Sequence, residues 1–387
     1  MNTPEKRTAV INTTEALNTL IAQLLTAPFV AVDTEFHRET TFWSKLCLIQ
    51  IATAQGAWAI DPLAPSIDLT MFWTLLKNDA VIKVLHSARQ DMEIFWEQGN
   101  VLPQNLFDTQ IGVLALGYQD SMSYQSLVSI FTGKQISKTA QVTDWTRRPL
   151  RPDQLEYALD DVRYLVQVYD KLYKQLRAKK RLDWVTASMA KLSDPALYQP
   201  SIHTALRRLK PKSFDPAYLK DLACLAWCRE EKALAENIPR RHVATDDLLL
   251  EWASIRPGSA QAVSQLRAFK RRQPSADFIA AALTALTAPS PLEDSELPDD
   301  KKRLSRKQMA QLEALKFLLK MQAATFEVSA TLVACNETLS EIVLTGRLPE
   351  SLQEGWTHEV FGKVVTKFLA GEAGIYCQDG HLSLKKD

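Results

Sequence analysis

No stretch of this 387-residue chain approaches the roughly 18 consecutive apolar residues that a membrane-crossing helix needs. Its opening, MNTPEKRTAV, lacks an apolar segment of the secretory kind. Both absences lead to the expectation of a soluble, cytoplasmic protein with no membrane partner. Cysteine is scarce: Cys47, Cys224, Cys228, Cys335 and Cys377 are scattered and odd in number. This excludes a disulfide-stapled scaffold and fits reduced thiols. No His/Cys cluster has zinc-site spacing, so Cys224 and Cys228, on one helix face, read as core cysteines. A dominant charge sign is lacking as well, with 46 basic residues against 45 acidic ones.

What is present is an ordinary globular composition, 46% hydrophobic and 24% charged, in a chain too long for one compact domain. The near-neutral total conceals an uneven distribution. Residues 1–200 hold 20 basic and 21 acidic side chains, residues 201–290 hold 14 and 9, and residues 291–387 hold 12 and 15. The basic middle is either an electrostatic footprint for a polyanion or a solvated helical surface.

The first 204 residues mix strands and helices. FVAVDTEF, KLCLIQIAT, GAWAIDPL and AVIKVLH read as strands, the first three too close together for anything but an antiparallel meander. Helical periodicity follows in ARQDMEIFWEQG, around 123–131, and in RPDQLEYALDDVRYLVQVYDKLYKQLRAKK. An α/β domain with a mixed sheet is expected over 1–204. Strand signals then fade. A long amphipathic helix begins after Asp215-Pro216, and shorter helices run to about residue 287. APSPLEDSELPDD reads as a linker, and a second helical segment opens at SRKQMAQLEALKFLLKMQAATFEV. The two segments share an outline: a long helix, a short Val-containing piece, then DDLLLEWA or NETLSEIV. They read as two copies of one all-helical module, at 205–290 and 304–387, joined by 291–303.

Chemistry concentrates in a few acids. Asp33 and Glu35 point to one side of their strand. Two adjacent carboxylates repel, and a buried pair calls for a cation; a strand end with two solvated acids is the alternative. Asp91 lies in the first turns of a helix entered directly from a strand, where α/β folds present reactive groups. Tyr157 and Asp161, at i and i+4, share a helix face, whereas Glu156 and Asp160 fall on neighbouring faces.

In this order, VDTEF, HSARQDMEIF and YALDDVRYL resemble the three motifs of the DEDD-family 3′-5′ exonucleases, tyrosine subclass, and most closely those of the ribonuclease D family. KTAQVTDWTRRPLRPDQLEYAL resembles that family's approach to the third motif. The resemblance implies a ribonuclease H-like exonuclease domain followed by two helicase-and-ribonuclease-D C-terminal (HRDC) domains. It also implies a metal site of Asp33, Glu35, Asp91 and Asp161, with Tyr157 as a fifth catalytic residue. Two divalent ions, Mg²⁺ or Mn²⁺, fit an all-oxygen ligand set. By resemblance, Asp33 bridges both ions, Glu35 and Asp161 serve the nucleophile's side, and Asp91 the other.

The expected activity is 3′-5′ removal of nucleoside 5′-monophosphates from RNA, in tRNA precursor processing and small stable RNA maturation, by a monomer. A DNA exonuclease of the same chemistry and a catalytically silent nucleic-acid binding module are the alternatives. Thr34, Phe36, His86, Gln90, Lys138, Trp145, Arg147 and Arg148 are candidate substrate contacts. Core roles for Phe36, His86 and Trp145, and a salt-bridged surface for the arginines, compete with that reading. The basic runs Arg207, Arg208, Lys210, Lys212 and FKRRQP (269–274) are candidates to grip structured RNA. The acidic second module is a candidate to pack against the nuclease domain.

Overall fold

The computed structural model describes residues 9–136, 143–298, 304–378 and 381–386. They form two compact units, one of Met1–Glu35, Leu46–Asp194 and Arg303–Asp387, the other of Phe36–Lys45 and Pro195–Lys302.

The first unit is built on six strands: β1 (Ala9–Ile11), β2 (Phe29–His37), β3 (Lys45–Thr53), β4 (Gly56–Ile60), β5 (Ile82–Leu85) and β6 (Leu106–Asp108), ordered β1-β4-β3-β2-β5-β6. Strands β3 and β4 are antiparallel and joined by two residues, whereas β1–β4, β2–β5 and β5–β6 are parallel. The sheet is therefore mixed, with β2, β3 and β4 as successive neighbours, as the short connections require. Eight of the nine β3 residues are buried, which suits an apolar run covered on both faces. The three-residue strands β1 and β6 are too short to show a period and carry no sequence signal.

Helices of this unit are α1 (Thr14–Leu24), α2 (Thr70–Lys77), α3 (Arg89–Gly99), α4 (Thr109–Leu114), α5 (Tyr124–Thr132), α6 (Pro152–Ala178) and α7 (Leu182–Leu192). Helix α6 starts with Pro152 at its first position, where no N–H is needed. Its stripe Ala158, Leu159, Val162, Leu165, Val168 and Leu172 is buried in one core with Ala31, Leu48, Ala59 and Val84 of the sheet. That packing carries Asp161 to the strand that bears Asp33.

The second unit comprises α8 (Ile202–Arg208), α9 (Pro216–Ala235), α10 (Arg240–Val243), α11 (Asp246–Ile255), α12 (Ala260–Ser264) and α13 (Ala276–Thr287). The segment Phe36–Lys45 inserts Phe42 into this helical core. Asn237 Oδ1 accepts from the Phe42 and Trp43 backbone N–H groups, and the Arg240 guanidinium lies 4.1 Å from the Phe42 ring centroid. Glu230, only 1% exposed, is matched by Arg240 and Arg208. Burial raises both Cys224 and Cys228 thiol pKa values, in keeping with core cysteines. No cysteine among the described residues forms a disulfide.

The second helical segment runs α14 (Arg306–Thr325), α15 (Ala330–Val333), α16 (Asn336–Thr345), α17 (Gly355–Thr357) and α18 (Lys363–Ala370). Helices α14, α15 and α16 repeat the 20, 4 and 10 residues of α9, α10 and α11. The expectation of an all-α segment fails at its end, where β7 (Ala373–Gln378) and β8 (His381–Lys386) pair antiparallel. Ile375, Tyr376, Leu382 and Leu384 supply the strand-forming side chains that helical periodicity overlooks. This segment does pack on the α/β part of the first unit: Trp356 stacks on Trp184 with centroids 4.5 Å apart and planes 7° from parallel. No helix among the described residues is long and apolar enough to cross a membrane.

Arg148 ties the approach to α6 onto the sheet. It donates to both Asp61 carboxylate oxygens at 2.6 Å, to the Cys47 carbonyl at 2.6 Å and to the Trp145 carbonyl at 2.8 Å. The salt-bridge reading of Arg148 therefore prevails over substrate contact. Arg148→Ala should cost about 3 kcal/mol in equilibrium chemical denaturation, because Asp61 is left largely buried and unpaired.

Candidate active site

The site begins with β2. Asp33 and Glu35 lie on one side of the strand, and an oxygen of each falls within 4.8 Å of the other and of an Asp161 oxygen. The intervening Thr34, 6% exposed, sends its hydroxyl to Asp91 Oδ1 at 2.5 Å. Thr34 therefore uses its side chain to fix the second-motif acid, which is itself 7% exposed.

Asp91 owes its position to a sharp turn between β5 and α3. Ser87 adopts a left-handed backbone, φ 62°. The turn is pinned by Asp108, whose carboxylate accepts from Ser87 N–H at 3.0 Å and Ala88 N–H at 2.9 Å, while also capping α4 through Gln110 N–H at 2.7 Å. Sequence reading missed this role, although Asp108 followed by Thr-Gln at a strand end is an N-cap signature.

From α6, Tyr157 directs its hydroxyl to the Asp161 carboxylate one turn on. Trp145, 3% exposed, packs beside Tyr157 with ring centroids 6.3 Å apart. This buried indole supports the tyrosine and is closed to a stacking base. Glu156 and Asp160 both pair with Arg163, which takes them out of the cluster. A second tyrosine that the motifs do not mark, Tyr124, donates to the Asp161 carbonyl and to the Asp160 carbonyl at 3.2 Å.

The electrostatics are those of a cation site. Burial, then Asp91, Asp161 and Glu35, push the Asp33 pKa far above the carboxylate range. Burial, then Asp161 and Asp91, raise Glu35 to about 9. Asp91 reaches about 7 through burial despite the Thr34 hydrogen bond. Asp161 also reaches about 7, through burial against the lowering hydrogen bond from Tyr157. Burial and the neighbouring acids raise Tyr157, keeping its hydroxyl protonated. No Lys or Arg among the described residues contributes to the shifts of the four acids. An all-oxygen donor set, desolvated and mutually repelling, fits a divalent cation.

The other candidates fall into place individually. His86 sits between the Thr109 hydroxyl at 3.0 Å and the Met122 carbonyl at 3.2 Å. The Met122 carbonyl can only accept, so Nε2 donates to it, and burial lowers the ring's pKa, a structural use. Gln90 is exposed on the first turn of α3. Phe36 is half-buried and belongs to the second unit. Arg147, 83% exposed, pairs with Asp144 at 3.0 Å. Lys138 lies outside the described residues.

These shifts fix a sign for stability. Carboxylic acids with folded-state pKa values above the unfolded value of about 4 favour the fold below pH 4 and lose that contribution as pH rises through the folded values. In chelator, the contribution of Asp91 and Asp161 should decline from about pH 4 and be gone by about pH 7, and that of Glu35 should decline until about pH 9. Buried Lys83, lowered to about 8, acts in the opposite sense. The gain in Tm from Glu35→Gln should therefore grow between pH 7 and pH 9 in chelator and vanish in millimolar Mg²⁺. An equal gain at both pH values would argue against mutual repulsion at this cluster.

Known proteins resemble this chain over most of its length. A family described as 3′-5′ exonuclease matches residues 8–177. Ribonuclease D of Nitrobacter hamburgensis is 37% identical over 96% of this chain and 98% of its own length. Ribonuclease D of Bartonella henselae is 36% identical over 97% and 94%. The crystal structure of Escherichia coli RNase D, described as an exoribonuclease involved in structured RNA processing, aligns with TM-score 0.78 and 26% identity over 96% of this chain and 99% of that one. With relatives of this identity along nearly its whole length, and three motifs converging on one acidic cluster, the chain belongs to the ribonuclease D family of 3′-5′ exoribonucleases.

Proposed function

We propose that this exoribonuclease removes nucleoside 5′-monophosphates one at a time from the 3′ ends of tRNA precursors and other small structured RNAs, as a cytoplasmic monomer. The observation that carries the reading is the convergence of Asp33, Glu35 and Asp161 oxygens within 4.8 Å, beside Asp91 and under the Tyr157 hydroxyl. Asp33, Glu35, Asp91 and Asp161 would hold two divalent ions, Mg²⁺ or Mn²⁺, with Glu35 and Asp161 serving the nucleophile's side and Asp91 the leaving-group side. When bound, such ions lower the pKa of an attacking water and neutralise charge on the leaving 3′ oxygen.

The protein's own groups do the positioning. Thr34 holds Asp91, and Tyr124 holds the backbone at Asp161. Tyr157, kept protonated by its surroundings, orients the attacking water by hydrogen bonding and leaves proton removal to other groups. The water oxygen bonds to phosphorus as the P–O3′ bond breaks; a proton from that water balances the 3′ oxygen, the terminal nucleotide leaves as a 5′-monophosphate, and the shortened RNA presents a new 3′-hydroxyl.

The domain division proposed is an exonuclease domain at 1–204, HRDC domains at 205–290 and 304–387, and a linker at 291–303. The matching lengths of α9–α11 and α14–α16 support two copies of one module. Arg207, Lys210, Lys212, Lys270 and Arg272 are exposed on the first and are assigned to RNA phosphates.

The test is a 5′-labelled tRNA-like RNA with a short 3′ tail, incubated in Mg²⁺, Mn²⁺ or chelator beside an all-DNA strand. A ladder shrinking from the 3′ end to the folded stem, abolished by chelator and weaker on DNA, supports the reading. Equal cutting of DNA would remove the 2′-hydroxyl preference, and an intact RNA in both metals would overturn the activity. Asp33→Asn should lower kcat by roughly a thousandfold with RNA affinity nearly unchanged. Tyr157→Phe, which removes one hydrogen bond, should lower kcat roughly 10- to 100-fold in single-turnover assays.

A further inference from the structure

The loop between α4 and α5, residues 115–123, is held from two sides. On one side lies the second helical segment. The Ser329 N–H donates to the Leu114 carbonyl at 2.8 Å, and the Ser329 and Thr331 hydroxyls both donate to Asp120 Oδ1 at 2.6 Å. Arg181 spans the same seam, donating to the Ala115 carbonyl at 2.8 Å, the Glu327 carbonyl at 2.7 Å and the Phe326 carbonyl at 2.6 Å. Gly117, at φ 81°, lies so close to Glu327 that a Cβ would meet its backbone at 3.0 Å. Any other residue there would be strained in conformation and crowded against this contact.

On the other side the loop leads into the active site. The Met122 carbonyl accepts from His86, the Ser123 hydroxyl caps α5, and Tyr124, the next residue, reaches the Asp160 and Asp161 carbonyls. A serine and a threonine of the helical segment therefore grip a carboxylate four residues from the hydroxyl that steadies the backbone of Asp161.

We infer that Asp120 is a positioning residue for the exonuclease site, and that Ser329 and Thr331 act through it. Docking of the second helical segment fixes the 115–123 loop, the loop fixes Tyr124, and Tyr124 holds the backbone of Asp161 in place. The inference rests on the assignment of Asp161 to the metal site. A displacement of about 1 Å in a catalytic group is enough to cost large factors in rate. The helical segment is thus a brace for the chemistry itself, separate from any grip on RNA.

The test uses the full chain and a short unstructured 5′-labelled oligoribonucleotide in Mg²⁺. Asp120→Ala and the double variant Ser329→Ala/Thr331→Val should lose about tenfold in kcat with KM within about twofold. Asp120→Asn, which keeps an acceptor oxygen, should restore kcat to within about threefold of the parent. Hydrogen exchange over 115–128 should quicken in the impaired variants. Thr331→Val alone, which leaves the Ser329 hydroxyl bond to Asp120 in place, should show the same split at smaller size if the double variant fails to fold. An unchanged kcat in the folded variants, or a rise confined to KM, would overturn the inference. Inactivity of the parent chain in both metals would overturn the proposed function instead, and exchange at 115–128 would still report on the mechanical link.

Discussion

Four carboxylates held in a largely desolvated space repel one another, and the surrounding architecture answers that repulsion. Asp33 and Glu35 are fixed by a central strand, Asp161 by a 27-residue helix, and Asp91 by a strand-to-helix turn. Each support is bonded elsewhere: Thr34 to Asp91, Asp108 to the turn at Ser87, Tyr124 to the Asp161 carbonyl. Three elements distant in sequence are thereby forced into a geometry that isolated charges would leave. A divalent cation would offset both the burial and the mutual repulsion of these acids.

Much of this was legible in the residues. The alternation on β2 put Asp33 and Glu35 together, and the spacing of Tyr157 and Asp161 put a phenol beside a carboxylate. The long period of α6 and the apolar run of β3 also declared themselves. Supporting residues were harder to read. Thr34 resembles any threonine in a strand until Asp91 is seen to accept from it, and Tyr124 resembles a core aromatic until its hydroxyl is located. Trp145 and His86 each carry two readings, and the burial of the indole and the Thr109 and Met122 contacts of the imidazole favour support. The missed elements were short: three residues give β1 and β6 no period, and the terminal hairpin follows a helical stretch that masks it.

Local sequence also conceals how distant segments assemble. Phe36–Lys45 follows the first-motif strand directly, yet its Phe42 completes the core of the helices at Pro195–Lys302. Residues from Arg303 onward share a compact unit with the nuclease sheet. The basic surplus of the middle segment is likewise partly internal. Arg240 and Arg208 neutralise buried Glu230, Arg229 pairs with Asp246, and Arg256 pairs with Asp221. The basic side chains left for the phosphate contacts proposed above are a smaller set than the charge count suggests.

The contact between Trp184 and Trp356 has an optical consequence. Two indoles with centroids 4.5 Å apart and planes 7° from parallel couple their excited states, and the Arg181 guanidinium, 4.5 Å from the Trp184 centroid, perturbs one of them further. Among nine tryptophans, this pair spans the seam between the nuclease fold and the second helical segment. Docking at that seam therefore carries its own near-ultraviolet signature, written into the molecule without any added label.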